Sequence, residues 1–133
     1  MSLAAINPEE LGAPKGYSNG ILAPAGGRLL FVAGQIGWDK AHRLVSKEFH
    51  RQFEQALANV AAVVRAAGGS PARVARLTIY VTDRRLYLDS LPDVGEAYRK
   101  VMGRNYPAMA LLEVKALLEP GALVEIEATA VLP

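Results

Sequence analysis

Apolar side chains recur every three or four residues between positions 47 and 67, which is the period of an α-helix with one buried face. The recurring residues are Phe49, Phe53, Leu57, Val60, Val64 and Ala67. Ser46 can cap the start of this helix, and Gly68-Gly69 can end it because glycine adopts the left-handed backbone found after helix ends. Pro71 then prevents the helix from restarting. The pattern predicts a long amphipathic helix over 47–67.

A second, shorter helix is predicted between Ser90 and Gly103. Ser90 and Asp93 have the spacing of a capping box, and Pro92 falls in the first turn, where a missing N–H is harmless. The buried stripe of this helix consists of Val94, Ala97, Tyr98 and Val101. Gly103 is expected to end it.

The remaining apolar segments have the patterns of β-strands. Residues 28–35 form a short apolar run after the turn Ala25-Gly26-Gly27, which predicts a strand buried on both faces. Residues 74–82 carry apolar side chains at every second position, which is typical of a half-buried strand. Residues 21–24 allow a short strand, and the Pro- and Gly-rich residues 1–15 predict an irregular lead-in.

Two predicted strands close the chain, at about 108–117 and 122–132. Between them, Glu119-Pro120-Gly121-Ala122 suits a type II turn, so we expect an antiparallel hairpin. Helices and strands are mixed, yet the closing strands are antiparallel. We therefore expect one α+β domain over 1–133, with a single mixed sheet and two helices packed on one face. The other sheet face also carries apolar residues, so we expect the chain to associate through it.

Composition excludes several classes of function. The 133 residues include no cysteine and two histidines, which excludes disulfides, thiolate zinc sites, a cysteine nucleophile and a three-histidine metal site within one chain. No apolar run reaches the ~18–20 residues of a membrane helix, and no signal-peptide pattern begins the chain. We expect a cytoplasmic protein with no membrane partner. The net charge is +2 and the basic residues are scattered, which disfavours nucleic acid as a partner.

Motifs of the nucleophile-elbow, phosphate-loop and dinucleotide-binding types are absent from the sequence. Glu125 and Glu127 alternate in the final strand and therefore share one face. That face is either solvated, or it places a glutamate in a cleft between subunits, where desolvation suits it to move a proton to or from water. His42 and His50 are expected to be solvated.

Two further segments have both a structural and a functional interpretation. The Tyr17 hydroxyl can orient a ligand, or the ring simply packs at the surface. Gly34-Gln35-Ile36 can offer backbone amides to an anion, or the segment is an ordinary strand end.

Seven short segments occur in an order known from one protein family. They are 16–18 (GYS), 32–36 (VAGQI), 55–60 (QALANV), 66–68 (AAG), 77–83 (LTIYVTD), 106–108 (YPA) and 124–128 (VEIEA). The ordered set resembles the RidA family, also called the YjgF/YER057c/UK114 family, and the resemblance runs from about residue 16 to 131, nearly the whole chain.

This resemblance implies a chorismate mutase-like α+β fold and a homotrimer whose sheets face inward. Small-molecule clefts lie between adjacent subunits of such trimers. The best-known members hydrolyse reactive enamines and imines, releasing ammonia and a keto acid, and they use neither a metal nor an organic cofactor.

The resemblance also implies residue roles. Tyr17 matches a ligand-holding tyrosine, and Glu125 matches the glutamate that positions the attacking water. The implied substrate-binding residues are Tyr17, Ala33, Gly34, Gln35, Ile36, Met109, Ala110 and Leu111.

Four positions depart from the family pattern. Met109 stands where the family has an arginine that clamps the substrate carboxylate. Ala33 stands where serine is common, Gly95 where asparagine is common, and Leu111 where cysteine is frequent. Because methionine cannot make the charge-assisted hydrogen bonds of arginine, we do not expect a standard 2-imino-acid deaminase.

Arg104, just before the strand, and Lys115, six residues after Met109, are candidates for a replacement charge, and Arg104 is the better placed. Three functions remain open. We expect hydrolysis of a small imine, enamine or related C–N compound, because Tyr17 and Glu125 are retained. The alternatives are a trimer that binds a small molecule without catalysis, and an endoribonuclease or translation inhibitor, for which some family members are named.

Overall fold

The computed structural model describes residues 2–133, which form a four-stranded sheet with helices on one face and a separate two-stranded sheet. The strands are β1 (Ala4–Ile6), β2 (Gly20–Leu22), β3 (Arg28–Ile36), β4 (Val74–Val81), β5 (Ala108–Glu113) and β6 (Val124–Leu132). The α-helices are α1 (Phe49–Ala66), α2 (Arg84–Asp89) and α3 (Leu91–Met102). The predicted α+β class is confirmed. Among residues 2–133, no helix is both long and apolar enough to cross a membrane.

Helix α1 buries the stripe that its periodicity predicts. It packs against β3 and β6 across the sheet and against α3 alongside, and the stripe from Phe49 to Val64 is buried. The helix ends as predicted, because Gly68 adopts a φ of +92°. Its start differs: Glu48 is the capping residue, and Ser46, two residues earlier, accepts the Glu48 N–H with its hydroxyl at 2.9 Å.

The strand order of the larger sheet is β3-β6-β4-β5, so the predicted closing hairpin is wrong. Strand β5 pairs in parallel with β4 at the edge, and β6 lies between β3 and β4, antiparallel to both. The turn itself forms, since the Ala122 N–H donates to the Glu119 carbonyl at 3.1 Å and Gly121 has a φ of +85°. A turn reverses the chain direction locally but does not determine which strands pair in the sheet. Helix α3 supplies the crossover that parallel strands require.

One face of this sheet is covered by helices in the described part of the chain, and the other, the open face, is not. The apolar positions of β4 are buried against the helices, as predicted. The prediction that β3 is buried on both faces is wrong for a single chain, because Phe31 is 74% exposed and Leu29 is 61% exposed. Both side chains lie in the strand whose opposite face packs on α1, so another surface is needed to cover them.

Two local predictions are also corrected. Ser90 forms no capping box; its hydroxyl donates to the Leu86 carbonyl at 2.6 Å, because helix α2, which the pattern missed, runs directly into it. Asp83 caps α2 by accepting the Arg85 N–H at 2.9 Å. The lead-in over 1–15 is not irregular throughout, since β1 pairs antiparallel with β2 and a 3-10 turn follows it.

Candidate ligand-binding site

The Glu125 side chain lies on the open face, over the backbone of β3. In β6 it stands opposite Tyr80 of β4, and Glu127 shares its face, as the alternation predicts. The register of β3 shifts in the middle of the strand, which indicates a bulge around Gly34. A Cβ on Gly34 would lie 2.6 Å from Oε2 of Glu125. The carboxylate therefore occupies the space that a side chain at position 34 would take.

The second glutamate of this face is already engaged. The Tyr80 hydroxyl donates to Oε1 of Glu127 at 2.6 Å. This hydrogen bond, assisted by desolvation and by the negative charges of Glu127 and Glu125, raises the pKa of Tyr80. Tyr80 is therefore a neutral donor at physiological pH. Within residues 2–133, no hydrogen bond or ion pair engages Glu125, so its carboxylate is the available base on this face.

The segment that leads into β6 is held by Gln52 of α1, whose side chain is fully buried. Its Nε2 donates to the carbonyls of Ser46 at 2.9 Å and Gly121 at 3.1 Å. Its Oε1 accepts the Leu123 N–H at 2.8 Å. One amide thus satisfies three backbone groups and ties helix α1 to the chain two residues before Glu125.

On the helix side of the sheet, a cavity of about 180 Å³ opens beside Met109. Met109 faces this side because it pairs with Leu77, whose side chain is in the core. The apolar and aromatic lining includes Phe53, Ile79, Tyr87, Leu91, Val94 and Tyr106. Tyr98 stacks on Tyr106 with ring centroids 5.5 Å apart and donates its hydroxyl to the Asn105 carbonyl. Burial raises the pKa of Tyr98, so its hydroxyl is neutral.

Tyr17 lies next to this cavity along the chain. The preceding residue, Gly16, lines the cavity. The following residue, Ser18, is anchored to the start of β5, because its N–H donates to the Pro107 carbonyl at 3.0 Å and its hydroxyl donates to the Tyr106 carbonyl. Tyr17 itself is 38% exposed, which leaves its ring accessible at this edge of the sheet.

The other predicted residues of β3 accompany Glu125. Ala33 is exposed beside Gly34, and its carbonyl accepts the side-chain amide of Gln35 at 3.1 Å. Ile36 is buried, and its carbonyl accepts Nδ2 of Asn59 at 3.1 Å. The Ile36 carbonyl is thus already bonded within the chain.

The three predicted residues of β5 do not share one face. Met109 lines the cavity on the helix side, and Leu111, which pairs with Ile79, alternates onto the same side. Ala110 pairs with Thr78 and lies on the open face. In a single chain, the predicted site is therefore divided between Glu125 on one face of the sheet and Met109 on the other.

Comparison with known proteins identifies the family. The family model described as Endoribonuclease L-PSP matches residues 8–132. The chain belongs to this family, the RidA family. It is 40% identical over 118 residues to the RutC family protein y4sK of Sinorhizobium fredii, covering 88% of this chain and 87% of that protein.

Two further RidA relatives are informative. The 2-iminobutanoate/2-iminopropanoate deaminase of Homo sapiens is 33% identical over 121 residues, covering 90% of this chain and 82% of the human protein. The crystal structure of YyfB from Yersinia pestis, a Rid-family protein of unknown function, matches with a TM-score of 0.87 at 35% identity. That match covers 99% of this chain and 100% of YyfB. The expected RidA-like fold is confirmed.

Neither predicted replacement charge lines the Met109 cavity of this RidA chain. Arg104 borders a separate groove beside Ser18 and Asn105, and Lys115 lies beyond the end of β5 at Glu113. Arg99 of α3 does line the cavity, although it was not among the predicted residues. A usable signal was present, because Arg99 lies four residues after Gly95 and therefore on the same helix face.

Proposed function

We propose that this protein is a hydrolase that adds water to the C=N bond of a small imine, or of the imine form of an enamine, with Glu125 as the general base. The observation that carries the proposal is the half-buried Glu125 carboxylate, which lies against the backbone at Gly34 and has no partner within residues 2–133. Such a carboxylate is suited to accept a proton from a bound water. The name of the human relative, a deaminase of two small imino acids, supports this reaction class.

The proposed reaction conserves atoms and protons. Glu125 accepts a proton from water as the water oxygen bonds to the imine carbon, and the imine nitrogen takes up a proton from solvent, which gives a carbinolamine. The proton on Glu125 passes to the departing nitrogen, the C–N bond breaks, and the hydroxyl proton is lost as the carbonyl forms. The products are ammonia and a carbonyl compound, and the carboxylate is regenerated.

We further propose that the working site lies between copies of the chain in a homotrimer. Glu125 and the Met109 cavity lie on opposite faces of one sheet, so a cleft that contains both requires a second copy. The exposed Phe31 and Leu29 side chains on the uncovered part of β3 support assembly through that region. In such a cleft, the Tyr17 hydroxyl and the backbone around Gly34 would orient the ligand.

The test compares two glutamates of the same strand. Imines without a carboxylate are generated in situ with an amine oxidase and 2-imino acids with an amino-acid oxidase, and the hydrolysis of both is followed as ammonia release. We expect Glu125→Gln to lower kcat by at least about 100-fold, the lower range for loss of a general base. Glu127→Gln is the matched control, and its activity is expected to stay within severalfold of wild type.

Two outcomes would contradict the proposal. Equal effects of the two substitutions would show that Glu125 has no special role. An absence of turnover, combined with equal affinity of wild type and Glu125→Gln for the carbonyl product, would favour a protein that binds small molecules without catalysis. The observation that favours this second function is the largely apolar cavity beside Met109, which offers a small molecule a place to bind.

A further inference from the structure

The thioether of Met109 is an oxidisable group at the cavity between α3 and the sheet. Met109 is half-buried and lines this cavity of about 180 Å³. Such a space admits small polar molecules, since one water needs only ~10–15 Å³. The other methionine that the structure describes, Met102 of α3, is 1% exposed and belongs to the core. Among residues 2–133, the chain therefore offers an oxidant one thioether at a cavity and one that is sealed in the core.

The surroundings of Met109 suit both the thioether and its sulfoxide. The rings of Phe53, Tyr87 and Tyr106 line the same cavity, and sulfur makes favourable contacts with aromatic rings. Oxidation to the sulfoxide turns this apolar side chain into a polar one. The Arg99 guanidinium also lines the cavity, and no acidic side chain pairs with it in the part of the chain that the structure describes. Its five N–H donors give a sulfoxide oxygen a partner.

We propose that Met109 is a reversible modification site, at which hydrogen peroxide forms a sulfoxide that closes the cavity to apolar ligands. The sulfur bonds to one peroxide oxygen as the O–O bond breaks, and the hydrogen on that oxygen passes to the other, which leaves as water. Sulfur is oxidised by two electrons and peroxide is reduced. The sulfoxide oxygen then accepts a hydrogen bond from Arg99, which an apolar ligand must displace. Methionine sulfoxide reductases reverse the modification.

The source of the peroxide follows from the proposed hydrolysis, on which this one step rests. Oxidases that convert amines to imines pass the electrons to O₂ and release hydrogen peroxide in the same reaction. The class of reaction that supplies an imine to this protein therefore also supplies the oxidant of Met109. The oxidation itself, and its effect on the cavity, do not depend on turnover.

The experiment treats the purified protein with excess hydrogen peroxide, removes the peroxide with catalase and follows each methionine by peptide mass spectrometry. We expect Met109 to gain an oxygen atom at least about tenfold faster than Met102, because oxidation follows exposure. Benzene is the apolar probe, since apolar cavities of ~150 Å³ bind it. Its binding, measured by ligand-observed NMR, should weaken about tenfold on oxidation, the cost of displacing one hydrogen bond to a charged group. A methionine sulfoxide reductase should restore it.

Met109→Leu and Met102→Leu are the matched variants, because leucine keeps the volume of methionine in both places. Peroxide should leave benzene binding unchanged in Met109→Leu and weaken it as in wild type in Met102→Leu. Oxidation of Met109 no faster than that of Met102, benzene binding that oxidation does not change in wild type, or equal losses in the two variants would overturn the proposal. Selective oxidation with weakened benzene binding, in a protein without imine hydrolysis, would leave the modification site standing and remove only the proposed hydrolysis.

Discussion

The fully buried Gln52 amide offers a quantitative test of how α1 holds the chain before β6. Gln52→Leu keeps the approximate volume of the side chain but leaves the Leu123 N–H and the carbonyls of Ser46 and Gly121 without their partner. An unsatisfied buried polar group costs about 1–3 kcal/mol. Because Gly121 is exposed and its carbonyl can turn to water, the other two groups set the expected total loss at roughly 2–6 kcal/mol.

This loss converts into a measurable shift of the unfolding midpoint. Specific entropies of unfolding give about 0.28 kcal/mol/K for a chain of this length, so the midpoint should fall by roughly 7–21 °C. Differential scanning calorimetry at one fixed protein concentration measures it, since the proposed assembly would make the midpoint concentration-dependent.

Gln55→Leu is the matched control on the same helix. Gln55 is half-buried, and its Nε2 donates only to the side chain of Asn59, at 2.8 Å. Its loss should lower the free energy of unfolding by about 0.5–1.5 kcal/mol. If Gln52→Leu and Gln55→Leu melt within about 2 °C of each other, the three contacts of Gln52 do not carry the stability assigned to them.

Three other substitutions test separate features. Gly95→Ala should stabilise α3 by about 1 kcal/mol through helix propensity, because the added Cβ would meet only the flexible end of the Arg99 side chain, at 3.2 Å; a lowered thermal midpoint would show that the Cβ strains the helix. Gly34→Ala should push the Glu125 carboxylate aside, so we expect lower kcat for imine hydrolysis with nearly unchanged melting, and full activity would show that the carboxylate need not lie over residue 34. Phe31→Asp should prevent assembly through β3, and light scattering should then report the monomer mass of 14.2 kDa in place of an oligomer; an unchanged mass would place the interface elsewhere.

Short-range patterns predicted much of this fold. The apolar period over 47–67 located helix α1 within two residues at its start, and the alternation of 74–82 identified both faces of β4. Alternation along the final strand likewise predicted that Glu125 and Glu127 share one face, as they do in β6. These predictions succeed because side-chain periodicity and burial are properties of a single element.

Predictions that depend on neighbouring elements were wrong. The type II turn at Pro120 and Gly121 is present, yet β6 pairs with β3 and β4 instead of β5, because pairing depends on the whole sheet. Ser90 does not form the predicted capping box, because its hydroxyl donates to the Leu86 carbonyl of helix α2. Arg99 was missed because its position at the cavity depends on how α3 packs on the sheet, which no local pattern describes.

The inner position of β6 has a consequence for folding. The strand order of the larger sheet is β3-β6-β4-β5, so β6, the last of these strands in the sequence, lies between β3 and β4, which are synthesised much earlier. Until β6 inserts, β3 and the inner edge of β4 present unpaired N–H and C=O groups, which are templates for pairing with other chains. Contacts between β3 and β6 also span about a hundred residues, and such distant contacts slow folding. During synthesis, the half-built sheet would therefore be the species most exposed to aggregation, and a chaperone that shields these edges would raise the yield more than one that acts on the finished chain.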